Sequence, residues 1–431
     1  MITKPLNQFK NICADALNSY CKLSKPFQSF LIELMVLVMT IPQKMNFLQF
    51  ARFGSSCESR FRQNFAKTFD WISFNKHFIR EREEHLTAID PCFIPKSGKK
   101  TAGISYFWSG CASSIKHGLE IPGIAFIDAT TNEAFHLRAT QTIVTKRRGR
   151  KPKILKHMDD RNSLVAKYLL ALSKYKNQLL SISNRIVADA YFSKESFVTG
   201  AIDLGFNVIS RLRNDARLMY LYTGGKTGKR GRPQEFNGRV DLKELDMKVF
   251  TKEEITVDSD KTVVLYSAIL RAVALKRNVK IVVIDCEDED SKTISRKVFF
   301  STDVSMSAQD IFSTYRSRFQ IEFLYRDAKG FTGLTHCQAR DEKRLDFHFN
   351  TSLTAVNIAR VFCRDYEKQT GKKISIASAK LLLHNATLVE RIFLKCGQKA
   401  TNKINNTIVK ELIMYGVRDA AQHQKINKLL N

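Results

Sequence analysis

The sequence predicts an α/β protein in which a sheet covered by helices is interrupted by a β-rich insertion and flanked by helical regions. Three observations predict it. Short apolar strands alternate with helical segments over residues 86–212, and residues 213–302 hold several β-type segments with no long helix between them. The two flanks have helical periodicity instead. The predicted units are 1–85, 86–212, 213–302, 303–345 and 346–431.

The composition indicates a globular protein with a polyanionic partner. Of 431 residues, 44% are hydrophobic, and 70 Lys and Arg against 42 Asp and Glu give a formal net charge of +28. Such a surplus favours nucleic acid, because neutralising phosphates releases counterions; a ribosome-associated or membrane-surface protein is the alternative. The nine scattered cysteines and the lack of a secretory signal predict a reducing cytosol. The most apolar stretch, Phe30 to Ile41, is too short to span a bilayer, so no membrane association is expected.

The N-terminal unit contains a helix, a glycine turn and a basic helix. Asn46 to Phe53 is a short amphipathic run that stops at Gly54. Ser55 is predicted to cap the next helix, with Glu58 completing a capping box. This pattern fits a DNA-reading helix-turn-helix and an ordinary αα-hairpin equally well.

The central unit is predicted from alternating strand and helix patterns. Its strands and helices, in chain order, are Leu86–Asp90, Gly123–Asp128, Ala134–Gln141, Ser163–Lys176 (helix), Arg185–Asp189, Lys194–Leu204 (helix) and Phe206–Leu212.

The next 90 residues predict an antiparallel β insertion, followed by one long helix. The insertion segments are Met247–Phe250, Thr262–Ala268, Val279–Asp285 and Lys297–Ser301. The helix begins at Ser307, whose capping box includes Asp310, and is expected to end at Gly330.

That long helix carries a stripe of polar residues. Tyr315, Arg318, Glu322 and Lys329 fall within an arc of about 60° at the helical repeat, beside a stripe formed by Phe312, Phe319 and Phe323. Glu322 and Arg318 alone could be a plain i,i+4 pair. A phenol and a second cation on the same stripe favour a site that grips phosphate beside a metal-binding carboxylate.

These four residues resemble the Tyr-x2-Arg-x3-Glu-x6-Lys pattern of the bacterial insertion-sequence transposases of the IS-four family. The segments Ile89 to Gly98 and Ile186 to Phe192 resemble that family's two catalytic aspartate blocks. The resemblance covers residues from about 40 to 360.

The resemblance implies a ribonuclease-H-like core in which Asp90, Asp189 and Glu322 hold two Mg²⁺ ions, with Mn²⁺ as a substitute. Tyr315, Arg318 and Lys329 would then hold phosphates near the cut. The implied activity is cut-and-paste transposition: cleavage at the ends of the element, then strand transfer of the freed 3′-hydroxyl into target DNA. The implied partners are double-stranded DNA and a second copy of the chain, in a bacterial cytoplasm at the nucleoid. A metal-dependent nuclease without strand transfer and a non-catalytic DNA-binding derivative are the alternatives.

Asp128 is a competing candidate for the first catalytic aspartate. Asp128 also ends a predicted strand, but its flanking residues do not match the family block that surrounds Asp90.

The relatives that form a DNA hairpin stack a tryptophan on a flipped base, in or near the insertion. This chain has only Trp71 and Trp108, outside the insertion. Aromatic alternatives within the insertion are Tyr220, Tyr222 and Tyr266.

Two basic loops complete the candidate sites. One contains Arg148 and Arg150, and the other contains Arg230 and Arg232 in an Arg-Gly-Arg-Pro sequence. Such extended arginines can enter a narrow A·T-rich minor groove, or they can make unspecific phosphate contacts from a solvated loop.

Overall fold

The computed structural model describes residues 4–19, 23–79, 85–143, 154, 160, 163–225, 233–257, 261–287, 294–395 and 403–418. Within these ranges, no helix has the length and apolar character needed to cross a membrane.

The N-terminal region is helical, as the sequence predicts. Its helices are α1 (Lys4–Asn18), α2 (Lys25–Thr40), α3 (Phe47–Phe53), α4 (Glu58–Asn64) and α5 (Trp71–Asn75). They bury an aromatic cluster in which Phe30, Phe65 and Trp71 all pack around Phe347 from the C-terminal half of the chain. This cluster joins the N-terminal helices to the core of the molecule.

The predicted capping box at Ser55 is wrong. Helix α4 begins at Glu58 and its N-cap is Cys57. The backbone N–H groups of Ser55 and Ser56 donate instead to the Glu33 carboxylate of α2, at 2.7 and 2.9 Å. A buried-helix carboxylate therefore outcompetes the local cap.

The two arginines of α4 are engaged within the fold. Arg62 pairs with Glu58, and Arg60 donates to Ser56 Oγ and to the Pro26 carbonyl oxygen, both at 3.1 Å. The segment is a short αα-hairpin in this structure, and DNA reading by it stays a prediction.

The central sheet contains the predicted strands with longer bounds. Its strands are β1 (His85–Pro95), β2 (Ser105–Ser109), β3 (Ser114–Asp128), β4 (Glu133–Ala139), β5 (Arg185–Val187) and β6 (Asn207–Leu212). β1 pairs antiparallel with β3, and β3 with β4, whereas β1, β5 and β6 are parallel. Helices α6 (Leu164–Lys174), α7 (Lys176–Leu180) and α8 (Glu195–Asp203) lie in the connections.

Residues 213–302 extend this same sheet rather than forming a detached layer. They contribute β7 (Leu218–Leu221), β8 (Phe236–Arg239), β9 (Thr251–Val257), β10 (Lys261–Ala272), β11 (Arg277–Glu287) and β12 (Ile294–Ser301). The described strands follow the order β2-β3-β1-β5-β6-β12-β11-β10-β7-β8, with β4 beside β3 and β9 beside β10. The antiparallel arrangement is as expected, and the β12–β6 pairing makes it continuous with the core.

The strand predicted at Met247–Phe250 is wrong. The backbone N–H of Lys248 donates to the Asp246 side chain at 2.9 Å, and the N–H groups of Val249 and Phe250 donate to the Asp246 carbonyl oxygen at 3.0 Å. Asp246 therefore folds this apolar run into a turn.

The long helix predicted over Ser307–Gly330 is two helices. They are α9 (Ala308–Ser317) and α10 (Gln320–Phe331). At the junction the N–H groups of Arg318, Phe319 and Ile321 bond to carbonyls three residues back, so the backbone tightens for one turn. The Ser307 cap is confirmed, because its hydroxyl accepts from the Asp310 N–H at 3.0 Å.

The C-terminal region is helical. Its described helices are α11 (Glu342–Thr370), α12 (Ile376–Lys395) and α13 (Lys403–Met414). Helix α11 is buried over most of its length and contacts β4, α10 and the N-terminal helices. It is the central support of the fold.

Two asparagines of α11 close the β4 edge of the sheet. Asn357 Oδ1 accepts from the His136 N–H at 2.8 Å, and its amide donates to the His136 carbonyl at 2.9 Å. Asn350 makes the same pair of bonds to Ala139, at 2.8 and 2.9 Å. Seven helical residues and three strand residues both span about 10 Å, so the two spacings match.

Candidate active site

Two of the predicted acids lie where the parallel strands β1 and β5 adjoin. The pairing of β1 with β5 sets Thr87 opposite Ile186 and Ala88 opposite Val187. Continued two residues past the end of β5, this register would set Asp90 opposite Asp189, and the charge of Asp189 contributes to the raised pKa of Asp90. Neighbouring strands lie about 4.8 Å apart, and positions in register share a face. Residues far apart in sequence are therefore brought together.

Asp189 is fixed by its own backbone turn. β5 ends at Val187, and Asp189 Oδ1 accepts the Tyr191 N–H at 3.0 Å as the cap of a single 3₁₀ turn. The Ser210 hydroxyl donates to the Asp189 carbonyl oxygen at 2.8 Å. One carboxylate oxygen is thus engaged locally.

Glu322 reaches the same place from α10, with Arg318 between the acids. Arg318 Nη2 donates to Glu322 Oε1 at 2.9 Å, and Arg318 Nη1 lies 3.5 Å from Asp90 Oδ1. The side chains of Arg318 and Asp90 are 14% and 15% exposed, so their ion pair is largely shielded from solvent, whereas the Glu322 side chain is 40% exposed. The break before α10 leaves Arg318 and Glu322 on the same side.

A hydrogen bond from Tyr325 fastens α10 to β1. The phenol of Tyr325, itself buried, donates to the Asp90 carbonyl oxygen at 2.6 Å. Gly123 stands opposite Asp90 on β3, and a Cβ there would lie 2.0 Å from the Tyr325 oxygen. The glycine therefore makes room for the contact that holds Glu322 over the aspartates. The sequence analysis did not single out Tyr325; its spacing of three from Glu322 was the only signal.

The site carries more negative than positive charge. Burial raises the pKa of Asp90 to about 7; Arg318 opposes the shift, and Asp189 and Glu322 add to it. Burial also raises the pKa of Asp189, again against Arg318. Within the described ranges no three His, Cys, Asp or Glu side chains are gathered closely enough to hold a metal ion. Here the Arg318 guanidinium lies among the carboxylates.

Tyr315 and Lys329 adjoin this cluster. The Tyr315 ring packs on Phe299 with centroids 4.8 Å apart, and the Arg318 guanidinium lies 5.8 Å from the Tyr315 ring centroid. Lys329 opposes the rise in the pKa of Asp90 and also that of Cys92, two residues further along β1. All four stripe residues therefore border the paired aspartates.

Asp128 does structural work at the opposite end of β1. It pairs in register with His85 and is 2% exposed. Its carboxylate accepts the N–H groups of Thr130 and Thr131, each at 3.0 Å. These bonds form the turn into β4.

The remaining candidates are the two tryptophans, the tyrosines of residues 213–302 and the arginines of the two basic loops. Trp71 is buried, Trp108 is exposed, and the tyrosines of residues 213–302 are partly exposed. Four arginines of the basic loops lie outside the described residues: Arg148, Arg150, Arg230 and Arg232.

Comparison with protein families assigns the chain. The model described as "Transposase DDE domain" matches residues 124–358, more than half of the chain. The chain belongs to the DDE transposase family. The matched segment of this transposase runs from β3 to α11 and includes Asp189 and Glu322, whereas Asp90 precedes it.

The comparisons with curated proteins and with solved structures add no further assignment. No curated protein matches the transposase. Seven chains of solved structures match. One is titled "Cryo-EM structure of piggyBac transposase synaptic complex with hairpin DNA (SNHP)"; it is 10% identical, with 95% of this chain and 85% of that chain covered and a TM-score of 0.38.

Proposed function

We propose that this transposase cuts DNA at the ends of a transposable element and joins the freed 3′-hydroxyl to target DNA, with Asp90, Asp189 and Glu322 as its metal-binding carboxylates. The observation that carries the proposal is the convergence of these acids from two parallel strands and a facing helix. Together they exceed the charge of the one arginine among them. An IS-four type of transposase would have this arrangement.

The donor set fits divalent cations. Carboxylate oxygens are the hard ligands that Mg²⁺ and Mn²⁺ prefer. A buried acid whose pKa is raised to about 7 by its surroundings gains most from a neighbouring positive charge. Two such ions would activate the attacking water or hydroxyl and stabilise the leaving oxygen.

The cations around the carboxylates have a role of their own. Arg318 presents a planar guanidinium suited to bidentate phosphate contact, and its Nε is buried without a hydrogen-bond partner in this structure. A scissile phosphate drawn to Arg318 and Lys329 would lie beside the acids. Tyr315, held against Phe299, would border the same phosphate.

The sheet supports a ribonuclease-H-like core. The order β4-β3-β1-β5-β6 has three antiparallel strands followed by two parallel ones, with the acids where β1 and β5 adjoin. The net charge of +28 supports double-stranded DNA as the partner. Because two element ends must be joined, we propose a homodimer in the DNA complex.

The test is a gel cleavage assay with labelled DNA carrying the ends of the parent element, in Mg²⁺ or Mn²⁺. Glu322→Gln keeps size and hydrogen bonding but removes a ligand charge. The intact protein should cut and join, and the variant should bind DNA but do neither. Glu342→Gln, an exposed glutamate at the start of α11, is the matched control and should behave as the intact protein. Equal cutting by Glu322→Gln would overturn the assignment.

A further inference from the structure

The hairpin formed by β2 and β3 exposes an apolar and aromatic face. Tyr106 is 71% exposed, Trp108 62% and Ile115 65%. Tyr106 pairs across the hairpin with His117, and Trp108 with Ile115, so all four side chains share one face. Aromatic side chains of this size normally bury most of their area, so the face is suited to a partner.

This face continues the one that carries the candidate active site. Gly123 pairs with Asp90, and β3 runs without a register shift against β1 and β2. Counting back in twos from Gly123 leads through two buried positions to His117 and then Ile115. The Tyr106 pair therefore lies roughly 20 Å, and the Trp108 pair roughly 27 Å, from Asp90 along the strand.

Basic side chains lie between the candidate active site and the exposed face of the hairpin. Lys329 lies near Cys92, two residues from Asp90 along β1 and on the same face, where its charge opposes the rise in the pKa of the thiol. The exposed Arg340 follows, and its carbonyl oxygen accepts the Ala102 N–H at 2.9 Å beside the base of the hairpin. Lys96 donates to the carbonyl oxygens of Cys337 and Ala339, which ties the hairpin base to the segment after α10.

Charge selects the occupant. Residues 96–119 contain four lysines and no aspartate or glutamate. A second copy of a chain of net charge +28 would meet this segment with repulsion, whereas a polyanion is attracted. Exposed aromatic rings beside a basic path are the arrangement that stacks on nucleic-acid bases.

We propose that Tyr106 and Trp108 form a stacking arm that holds unpaired or unstacked bases of the bound DNA, roughly six to eight nucleotides from the phosphate at the carboxylates, since successive nucleotides lie about 3.4 Å apart. The proposal rests on the proposed function for the position of the cut, and it adds a second contact region outside the residues matched by the family model.

Tryptophan fluorescence tests the arm directly, because the chain has two tryptophans and Trp71 is 1% exposed. The intact protein is titrated with oligothymidylate of about 20 nucleotides in EDTA, so that no cleavage is involved. Stacking on Trp108 should quench its emission, and more strongly than a blunt duplex of equal length does. Trp108→Phe should bind with similar affinity but lose the quenching.

A double substitution measures the contribution of the arm to binding. Tyr106→Ala with Trp108→Ala should weaken oligothymidylate binding about tenfold or more, by the usual effect of losing a base stack. Tyr415→Ala, which removes another highly exposed tyrosine after α13, should leave binding unchanged.

The outcomes separate the arm from the proposed function. Unchanged Trp108 emission with tight DNA binding would overturn the arm, while cleavage that depends on Glu322 would leave the proposed function standing. Quenching that rises with protein concentration in the absence of DNA would assign the face to a second copy of the chain and also overturn the arm.

Discussion

Two clusters of three acids each include one acid of α10, and they differ in how they are neutralised. In one, Asp327 pairs with Arg360 at 3.2 Å and with Arg326 at 3.3 Å. Arg364 lies 3.5 Å from Asp128 and also pairs with Glu133. The other has the acids Asp90, Asp189 and Glu322, and Arg318 is the arginine whose ion pairs with them are seen among the described residues.

The difference shows that two clusters with the same number of acids can differ in how many arginines neutralise them. The paired cluster is complete within the protein and holds α11 against the turn between β3 and β4. The candidate site has three acids against Arg318 and Lys329, and the burial of Asp90 among them disfavours folding unless a proton or a cation is bound. Each of the following predictions tests that contrast.

The largest effect is expected on cleavage. Asp189→Asn preserves shape and the bond from the Tyr191 N–H but removes charge, and it should lower the cleavage rate about a thousandfold or more, the equivalent of several kcal/mol. The matched change Asp327→Asn, in the paired cluster, removes the charge that faces Arg360; it should lower stability but keep most of the cleavage rate of the folded protein. A similar loss in both variants would erase the distinction between the two clusters.

The second largest effect is expected on the stability of the fold, from a change in the paired cluster. Arg360→Met keeps length but leaves Asp327 and the Ala134 carbonyl oxygen without their buried partner. It should lower the free energy of unfolding by about 3–5 kcal/mol, measured by urea denaturation. Replacing Asp327 by leucine in the same variant should restore part of the loss. No recovery would mean that the arginine acts through packing alone.

The smallest effect distinguishes the clusters by pH. The pKa of Asp90 is raised to about 7, so the folded state holds a proton that the unfolded chain loses near pH 4. Stability in EDTA should therefore fall as pH rises from about 4 to 7. Asp90→Asn removes this loss and should melt a few degrees above the intact protein near pH 8, but not near pH 4. Equal melting temperatures near pH 8 would show that Asp90 carries no cost of burial.

The sequence was sufficient for what depends on local spacing. The stripe of Tyr315, Arg318, Glu322 and Lys329 follows from the helical repeat, and Asp189 follows from a strand that ends in a polar turn. The antiparallel character of residues 213–302 was also readable from their strand pattern.

The features that the sequence did not predict depend on contacts between residues far apart in the chain. The proximity of Asp90 and Asp189 depends on the β1–β5 register, and the seat of α10 depends on Tyr325 and Gly123. β1 was expected to end at Asp90, yet it continues to Pro95: Pro91 stands opposite Pro122, whose carbonyl oxygen accepts the Thr140 N–H on the side away from β1, so this proline pair removes no bond between β1 and β3. Ser55 does not cap the following helix, because its backbone N–H donates to the carboxylate of Glu33, which lies on another helix.

The asparagines of α11 give the sheet a direction of growth. Because Asn350 and Asn357 occupy the outward N–H and C=O groups of β4, no further strand can add there, whether from this chain or from a neighbouring molecule. On the other side of β1, the sheet continues past β6 with the strands of residues 213–302. A helix that imitates a strand thus protects one border of the molecule from fibre-like self-association and leaves the other open to elaboration.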